Sequence, residues 1–171
     1  MQVTGFQIRE LIRRFEMVSE ASSKQWGESL FVFEGDEKTG PEEIMKSYKD
    51  AERKVAAIQT AQMRYNLQVK VKVLDEEMTL AEAVKMVGGA GRAEKMWKSH
   101  AINTGRESYS RIESSRPKDS EFAKRSVSVK ECLKNANESA KFAGALRAAI
   151  AEGNSTKVDV ASINLDPKLF E

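Results

Sequence analysis

Carboxylates crowd the segment VFEGDEKTGPEEIM, and carboxylate oxygens are the ligands that Ca²⁺ prefers. The segment contributes Glu34, Asp36, Glu37, Glu42 and Glu43. An EF-hand loop needs oxygen side chains at its first, third and fifth positions. Lys38 occupies the fifth position counted from Glu34 and the third counted from Asp36. We therefore expect no metal site. Thr39 and Glu42 have the spacing of a capping box, and Pro41 suits a first turn, which predicts the start of a helix.

The residues available for nucleophilic or acid–base chemistry are few. The sequence has one histidine, His100, and one cysteine, Cys132. Any Ser-His-Asp or Cys-His system would have to be built on that single imidazole. We interpret His100 as a residue near a helix end and Cys132 as a small core residue. We therefore predict no catalytic residues, no cofactor and no enzymatic activity.

Two further motifs suggest phosphate or nucleic-acid binding. Gly88, Gly89 and Gly91 lie in VGGAGRAEK, which lacks the Gly-Lys-Ser/Thr of a P-loop and sits inside a helical pattern. We favour a kink or a close helix approach there. The region 103–125 carries six basic residues against four acidic ones, a local excess of two. A solvated loop is favoured, and a nucleic-acid-facing loop is left open.

Length and composition predict one domain over residues 1–153, followed by a tail over 154–171. The 171 residues are 40% hydrophobic and 32% charged, with a net charge of +2, and a chain of this length buries a substantial core. No signal-like or membrane-spanning segment is evident, so we expect no membrane association and a cytoplasmic protein.

Apolar periodicity and capping spacings predict four helices, at about 4–26, 41–66, 80–101 and 129–152. Thr79 with Glu82 and Ser128 with Glu131 repeat the capping-box spacing. Two strand-like runs, Ser29–Phe33 and Asn66–Leu74, could pair with each other. The fold class is therefore mainly α, an antiparallel helical bundle built on a long helical pair, with short β-strands.

The second predicted helix carries a heptad seam. Its apolar residues alternate steps of four and three, a pattern suited to packing against another helix. We expect this seam to mediate self-association into a homo-oligomer. The residues of the seam are Ile44, Tyr48, Val55, Ile58 and Tyr65.

The tail is apolar but has no helical period. Its candidate docking residues are Val158, Val160, Ile163, Leu165, Leu169 and Phe170. One alternative is that the tail folds back onto its own chain, beside Val69–Val73. The alternative we favour is docking on a neighbouring subunit or on a different protein.

The order of these elements resembles the septicolysin-like family, small helical proteins of bacteria and their mobile elements. The resemblance rests on EGDEKTGPEEIM, RYNLQ, MTLAEAV, a Tyr-Ser-Arg loop and SVSVKECL, between Phe6 and about Glu152. It implies a helical fold on a long antiparallel pair and oligomers, and it supplies no catalytic residues. The three glycines of the third helix and the tail depart from the family pattern.

These observations favour a non-enzymatic structural or assembly protein acting through helix packing and a docking arm. A component of a phage or mobile-element particle, made in the cytoplasm, is one such protein. The alternatives are a nucleic-acid-associated protein using the 103–125 loop, and a small ligand-binding protein using the acidic turn or the glycine-rich helix.

Overall fold

The computed structural model describes residues 1–31, 39–102 and 127–170, and these residues are mainly α-helical. The helices are α1 (Gly5–Ser29), α2 (Pro41–Gln68), α3 (Leu80–Ile102) and α4 (Val129–Ser155). The short strands are β1 (Gln2–Val3), β2 (Lys70–Val73), β3 (Glu76–Thr79) and β4 (Val158–Asp159), and a 3₁₀ helix spans Pro167–Phe170. The predicted fold class is confirmed.

Helices α1 and α2 form the predicted long antiparallel pair. Ser19 of α1 donates a hydrogen bond to Glu52 of α2, and Ser22 donates to Ser47, so positions later in α1 meet positions earlier in α2. The half of the pair nearest the start of α1 is apolar, because Ile8, Ile12 and Ile58 are buried there. The other half also buries Ile44 and Ala51, and Ser19 and Ser22 add hydrogen bonds between the helices there. The pair is thus held by apolar burial in both halves, with hydroxyl hydrogen bonds added in one of them.

The predicted self-association seam is used inside the chain. Ile44, Val55, Ile58 and Tyr65 are buried in the chain by itself, and Tyr48 is half-buried. The expectation that this seam would mediate self-association is therefore corrected, since α1 and the terminal segments already cover it.

Helix starts follow the predicted capping chemistry in one case and depart from it in another. At α4, the Ser128 hydroxyl accepts from the Glu131 N–H, and the Glu131 carboxylate accepts from the Ser128 N–H, so this capping box is confirmed. At α2, Gly40 is the N-cap, with Pro41 in the first turn and no side-chain cap. The Thr39–Glu42 box is therefore wrong, because Pro41 begins the helix one residue later than that box requires.

A pairing of the Ser29–Phe33 run with the Asn66–Leu74 run is not observed among the described residues, and Val32 and Phe33 lie outside them. Helix α1 continues through Ser29. Strand β2 pairs instead with β3 in a hairpin. Val71 and Val73 are buried and Lys70 and Lys72 are exposed, so the half-buried strand with a lysine face is present with a different partner.

The two ends of the described chain are joined in what we call the terminal clasp, formed by Met1–Gly5, Tyr65 and Gly153–Leu165. Strands β1 and β4 pair antiparallel, with Val3 opposite Val158. The Val160 N–H donates to the Met1 carbonyl at 3.0 Å. The Arg64 guanidinium donates to the Ile163 carbonyl at 3.2 Å.

The clasp corrects the prediction of an extended docking arm. Val158, Val160, Ile163 and Leu165 are all buried in their own chain. Folding back is therefore the observed arrangement, and strand pairing is with β1 instead of Val69–Val73. The reason is hydrophobic, because these four side chains remove apolar surface from water at the open end of the α1–α2 pair.

Tyr65 is the centre of the clasp. Its side chain is fully buried, and its hydroxyl lies 2.7 Å from the carbonyl oxygens of both Gly153 and Thr156. Burial raises the pKa of Tyr65, against smaller opposing effects of a hydrogen bond with the Gly5 backbone and of the Arg9 charge. The hydroxyl therefore stays protonated and bonded.

Gly5 fits the clasp only because it lacks a side chain. A Cβ at Gly5 would lie 2.5 Å from Asn154 Oδ1 and 2.9 Å from Tyr65 Cε1. Both distances are shorter than van der Waals contact, so the first residue of α1 must be glycine for α4 to end where it does.

The chain divides into two compact units. The first comprises Met1–Lys70, Thr79–Ala81 and the residues from Ala151 onward. The second comprises Val71–Met78 and Glu82–Ile150, and it contains most of α3 and α4. Helix α3 is uninterrupted through its three glycines, and arginine side-chain ends are the nearest atoms that added Cβ atoms would meet. The predicted close helix approach at these glycines is therefore not observed.

Replacing Gly5 with alanine should destabilise the protein, although alanine is the better helix former. Overpacking of this kind costs about 1–3 kcal/mol. The matched control is Gly27→Ala in the same helix, where an added Cβ meets nothing within 4 Å, so a gain of up to about 1 kcal/mol is expected. Urea unfolding measures both variants. Equal effects of the two substitutions would contradict the packing assigned to Gly5.

Replacing Tyr65 with phenylalanine should lower the free energy of unfolding at pH 7 by about 1–3 kcal/mol, because buried carbonyls lose their donor. Because the pKa of Tyr65 is raised, the contribution of its hydroxyl to the free energy of unfolding depends on pH. This contribution is fully present below the ordinary tyrosine pKa of 10.0 and is lost as the pH rises beyond that value. The stability difference between wild type and Tyr65→Phe should therefore narrow in alkali. Tyr48→Phe, at a half-buried position, is the control and should lower the free energy of unfolding at pH 7 by less than Tyr65→Phe does.

Candidate functional site: an apolar groove on helix α1

A groove of about 590 Å³ runs along the side of α1 and is bounded at one edge by the 3₁₀ helix. We call it the α1 groove, and its lining residues are Gln7, Glu10, Leu11, Arg14, Met17, Val18, Ala21 and Phe170. Phe170 is the only one of them outside α1.

The spacing of the lining residues makes the groove a second stripe on the helix. Gln7, Leu11, Arg14, Val18 and Ala21 follow steps of four and three, the spacing that keeps residues on one face. The residues that face α2 follow the same spacing one position later, from Ile8 to Ser22. Helix α1 therefore presents two faces, one packed in the pair and one on the flank.

The flank is unusually apolar for an exposed helix face. Met17 is 63% exposed and Val18 is 40% exposed. Phe6, at the same side of the first turn, is 49% exposed and carries the Arg9 guanidinium 4.9 Å above its ring. Contiguous apolar surface with polar neighbours is typical of protein-interaction surfaces.

Two opposite charges lie in the middle of the groove. Glu10 and Arg14 are four residues apart and so stand on adjacent turns of one face. Within the described part of the chain, the ion pairs that are formed do not include this pair. The groove therefore offers one acceptor and one donor of charge-assisted hydrogen bonds between apolar ends.

A second groove lies at the opposite end of the helical pair. It combines Trp26, Leu30 and Met45 with the basic side chains of Lys46, Lys49 and Arg53. Leu30 and Pro41 flank the segment 32–38, which lies outside the described residues. The α1 groove is bordered by described residues and is therefore the better-defined site.

The predicted tail residues divide between core and groove. Val158, Val160, Ile163 and Leu165 lie in the terminal clasp, Leu169 is half-exposed, and Phe170 lines the groove. The predicted docking site therefore reduces to its last residue, and that residue presents its ring beside α1 instead of extending away from the chain.

Other candidates fall elsewhere. The basic loop 103–125 and the carboxylates Glu34, Asp36 and Glu37 lie outside the described residues. Glu42 and Glu43 are in the first turn of α2, where carboxylates suit the helix dipole. Across 1–31, 39–102 and 127–170, no three His, Cys, Asp or Glu side chains are grouped as metal ligands would be.

The sequence contains a signal for the α1 groove, because Leu11 and Val18 belong to one apolar stripe with Ile8, Ile12 and Phe15. Leu11 is buried at the floor of the groove, whereas Val18 is exposed. A stripe this wide already exceeds what one partner helix covers, which indicates two faces.

Comparison with known proteins shows the fold and leaves the function open. The structure is similar to the crystal structure of a functionally unknown conserved protein from Corynebacterium diphtheriae, with a TM-score of 0.61 and 14% sequence identity over 93% of this chain and 100% of that chain. No protein-family model and no curated protein matches the sequence. The resemblance to the septicolysin-like family therefore stays a prediction.

Among the helices of the described ranges, none combines the length and the apolar character needed to cross a lipid bilayer.

Proposed function

We propose that the protein is a non-enzymatic assembly component that binds other protein through the α1 groove. The observation that carries this proposal is the exposed apolar flank of α1, with Met17 and Val18 beside Phe170. An interaction of this kind requires complementary surfaces and no reacting group.

The energetic case rests on apolar burial. Fully burying a Met or Val side chain contributes about 1.5–3 kcal/mol relative to leaving it exposed. Met17, Val18 and Phe6 together therefore provide a substantial driving force for association. Against this stands the entropic cost of association, about 4–15 kcal/mol, so the Glu10 and Arg14 charges must also find partners in the complex.

Association of identical copies is still expected, but through the α1 groove instead of the α2 seam or the tail. Four seam side chains of α2 and four apolar side chains of the tail are buried in their own chain, and these are not available to a partner: Ile44, Val55, Ile58, Tyr65, Val158, Val160, Ile163 and Leu165. The α1 groove, in contrast, is formed in the single chain and is open to a partner. A component of a larger particle would use such a surface in the same way.

The placement of Phe170 gives the groove a fixed edge. The 3₁₀ helix follows Leu165, which is buried and bonded through its N–H to the Val160 carbonyl at 2.9 Å. The terminal clasp holds the chain as far as Leu165, and the Leu169 N–H donates to the Asp166 carbonyl at 3.2 Å, so the backbone that leads to Phe170 is anchored. Preorganisation of this kind favours binding.

Replacing Met17 with aspartate should abolish association while leaving the fold intact, because Met17 is largely exposed and its mutation places a charge in the groove. The matched control is Met63→Asp on α2, since Met63 is 60% exposed and Met17 is 63% exposed. Sedimentation velocity over a range of protein concentrations measures association, and circular dichroism checks folding. A monomeric wild type, or equal association of the two variants, contradicts the proposal.

A further inference from the structure

We propose that the occupant of the α1 groove is the α1 helix of a second copy, packed antiparallel about a two-fold axis at the height of Ile12. This inference rests on the proposed function and names its partner and register. The observation that leads to it is the arrangement of charge in the groove.

Glu10 and Arg14 lie two residues on either side of Ile12. A two-fold axis at that height turns one helix end for end, so Glu10 of each copy stands opposite Arg14 of the other. The interface then contains two Glu–Arg pairs, related by symmetry, from a single pair of residues. Arg and carboxylate groups match in geometry and form strong charge-assisted hydrogen bonds. Glu10 and Arg14, which form no ion pair with other described residues, are thereby paired between copies.

The apolar residues fit the same register. An interval of eleven residues is three helical turns plus about 20°, so Phe6 and Met17 lie along one edge of the face. Gln7 and Val18, also eleven residues apart, lie along the other edge. The two-fold rotation places each edge opposite the same edge of the second copy, running in the reverse direction. Phe6 of one copy therefore meets Met17 of the other, and Gln7 meets Val18, each offset by about 1.5 Å along the axis.

Other registers of the same face are worse. Moving the axis to the height of Arg14 would place the two Arg14 side chains against each other, with Glu10 opposite Val18. A parallel pairing would place Glu10 against Glu10 and Arg14 against Arg14. Like charges at an interface disfavour association, so charge selects the antiparallel register about Ile12.

The symmetry also limits the size of the assembly formed through this surface. A two-fold interface is isologous, because the same patch is used on both copies, and it is closed once two copies are paired. The α1 groove therefore yields a dimer and leaves the other surfaces of the first unit unused, including the second groove that Trp26 lines.

Charge reversal tests the register directly. Glu10→Arg alone, or Arg14→Glu alone, converts both symmetric pairs to like-charge pairs and should weaken dimerisation about tenfold or more. The double variant Glu10→Arg/Arg14→Glu restores both pairs and should return the dimerisation constant to within about threefold of wild type. Sedimentation equilibrium measures the constants at low ionic strength, where surface charge is least screened.

The control uses another pair of the same helix. Glu20 and Lys24 form an exposed ion pair at 2.7 Å within α1, and neither lines the groove. Glu20→Lys and Lys24→Glu alter charge by the same amounts as the groove variants and should leave dimerisation unchanged. Circular dichroism of every variant verifies that the helices are formed.

The outcomes separate this inference from the proposed function. If Met17→Asp prevents association but the double charge reversal does not restore what the single reversals lose, the groove is an interface and the two-fold register is wrong. If the wild type is monomeric, both are wrong. If the single reversals weaken the dimer, the double reversal restores it and the Glu20–Lys24 variants have no effect, the register stands.

Discussion

The buried hydroxyl of Tyr65 is the interaction on which the rest of the first unit depends. It joins the end of α2 to the end of α4 and to the polypeptide that follows. Gly5 packs against the same ring, so the start of α1 is placed by it too. The end of the α1–α2 pair nearest the start of α1 would otherwise be open to water. One side chain thus determines where four segments of the chain meet.

The sequence predicted what depends on neighbours along the chain. Helix periodicity located α1 to α4 to within a few residues, and the Ser128–Glu131 spacing identified a capping box, because both are local. The partners of each face could not be predicted. The seam of α2 was recognised as a packing surface, yet nothing near Val55 or Ile58 in the sequence states that α1 covers it. Strand β2 was recognised as half-buried for the same local reason, and its partner was not predicted because pairing depends on the turn that follows.

The candidate site could be predicted only in part from the sequence, for the same reason. The apolar residues of α1 were apparent, but the division between a packed face and a flank depends on which direction α2 approaches. Phe170 was identified as a docking residue, and the structure places it at the groove while burying the preceding residues of the tail. The core and the groove are consequently connected, since the clasp that closes the α1–α2 pair also positions the aromatic edge of the groove.

The separation of the clasp residues along the chain has a consequence for biosynthesis. Tyr65 and the Gly153 carbonyl that it contacts are 88 residues apart. At about 5–20 residues per second, the ribosome needs roughly 4 to 18 s to cover that interval. Helices form within microseconds, so the α1–α2 pair is made early and waits with its apolar end uncovered. During translation this uncovered apolar end is therefore exposed to non-native contacts for seconds.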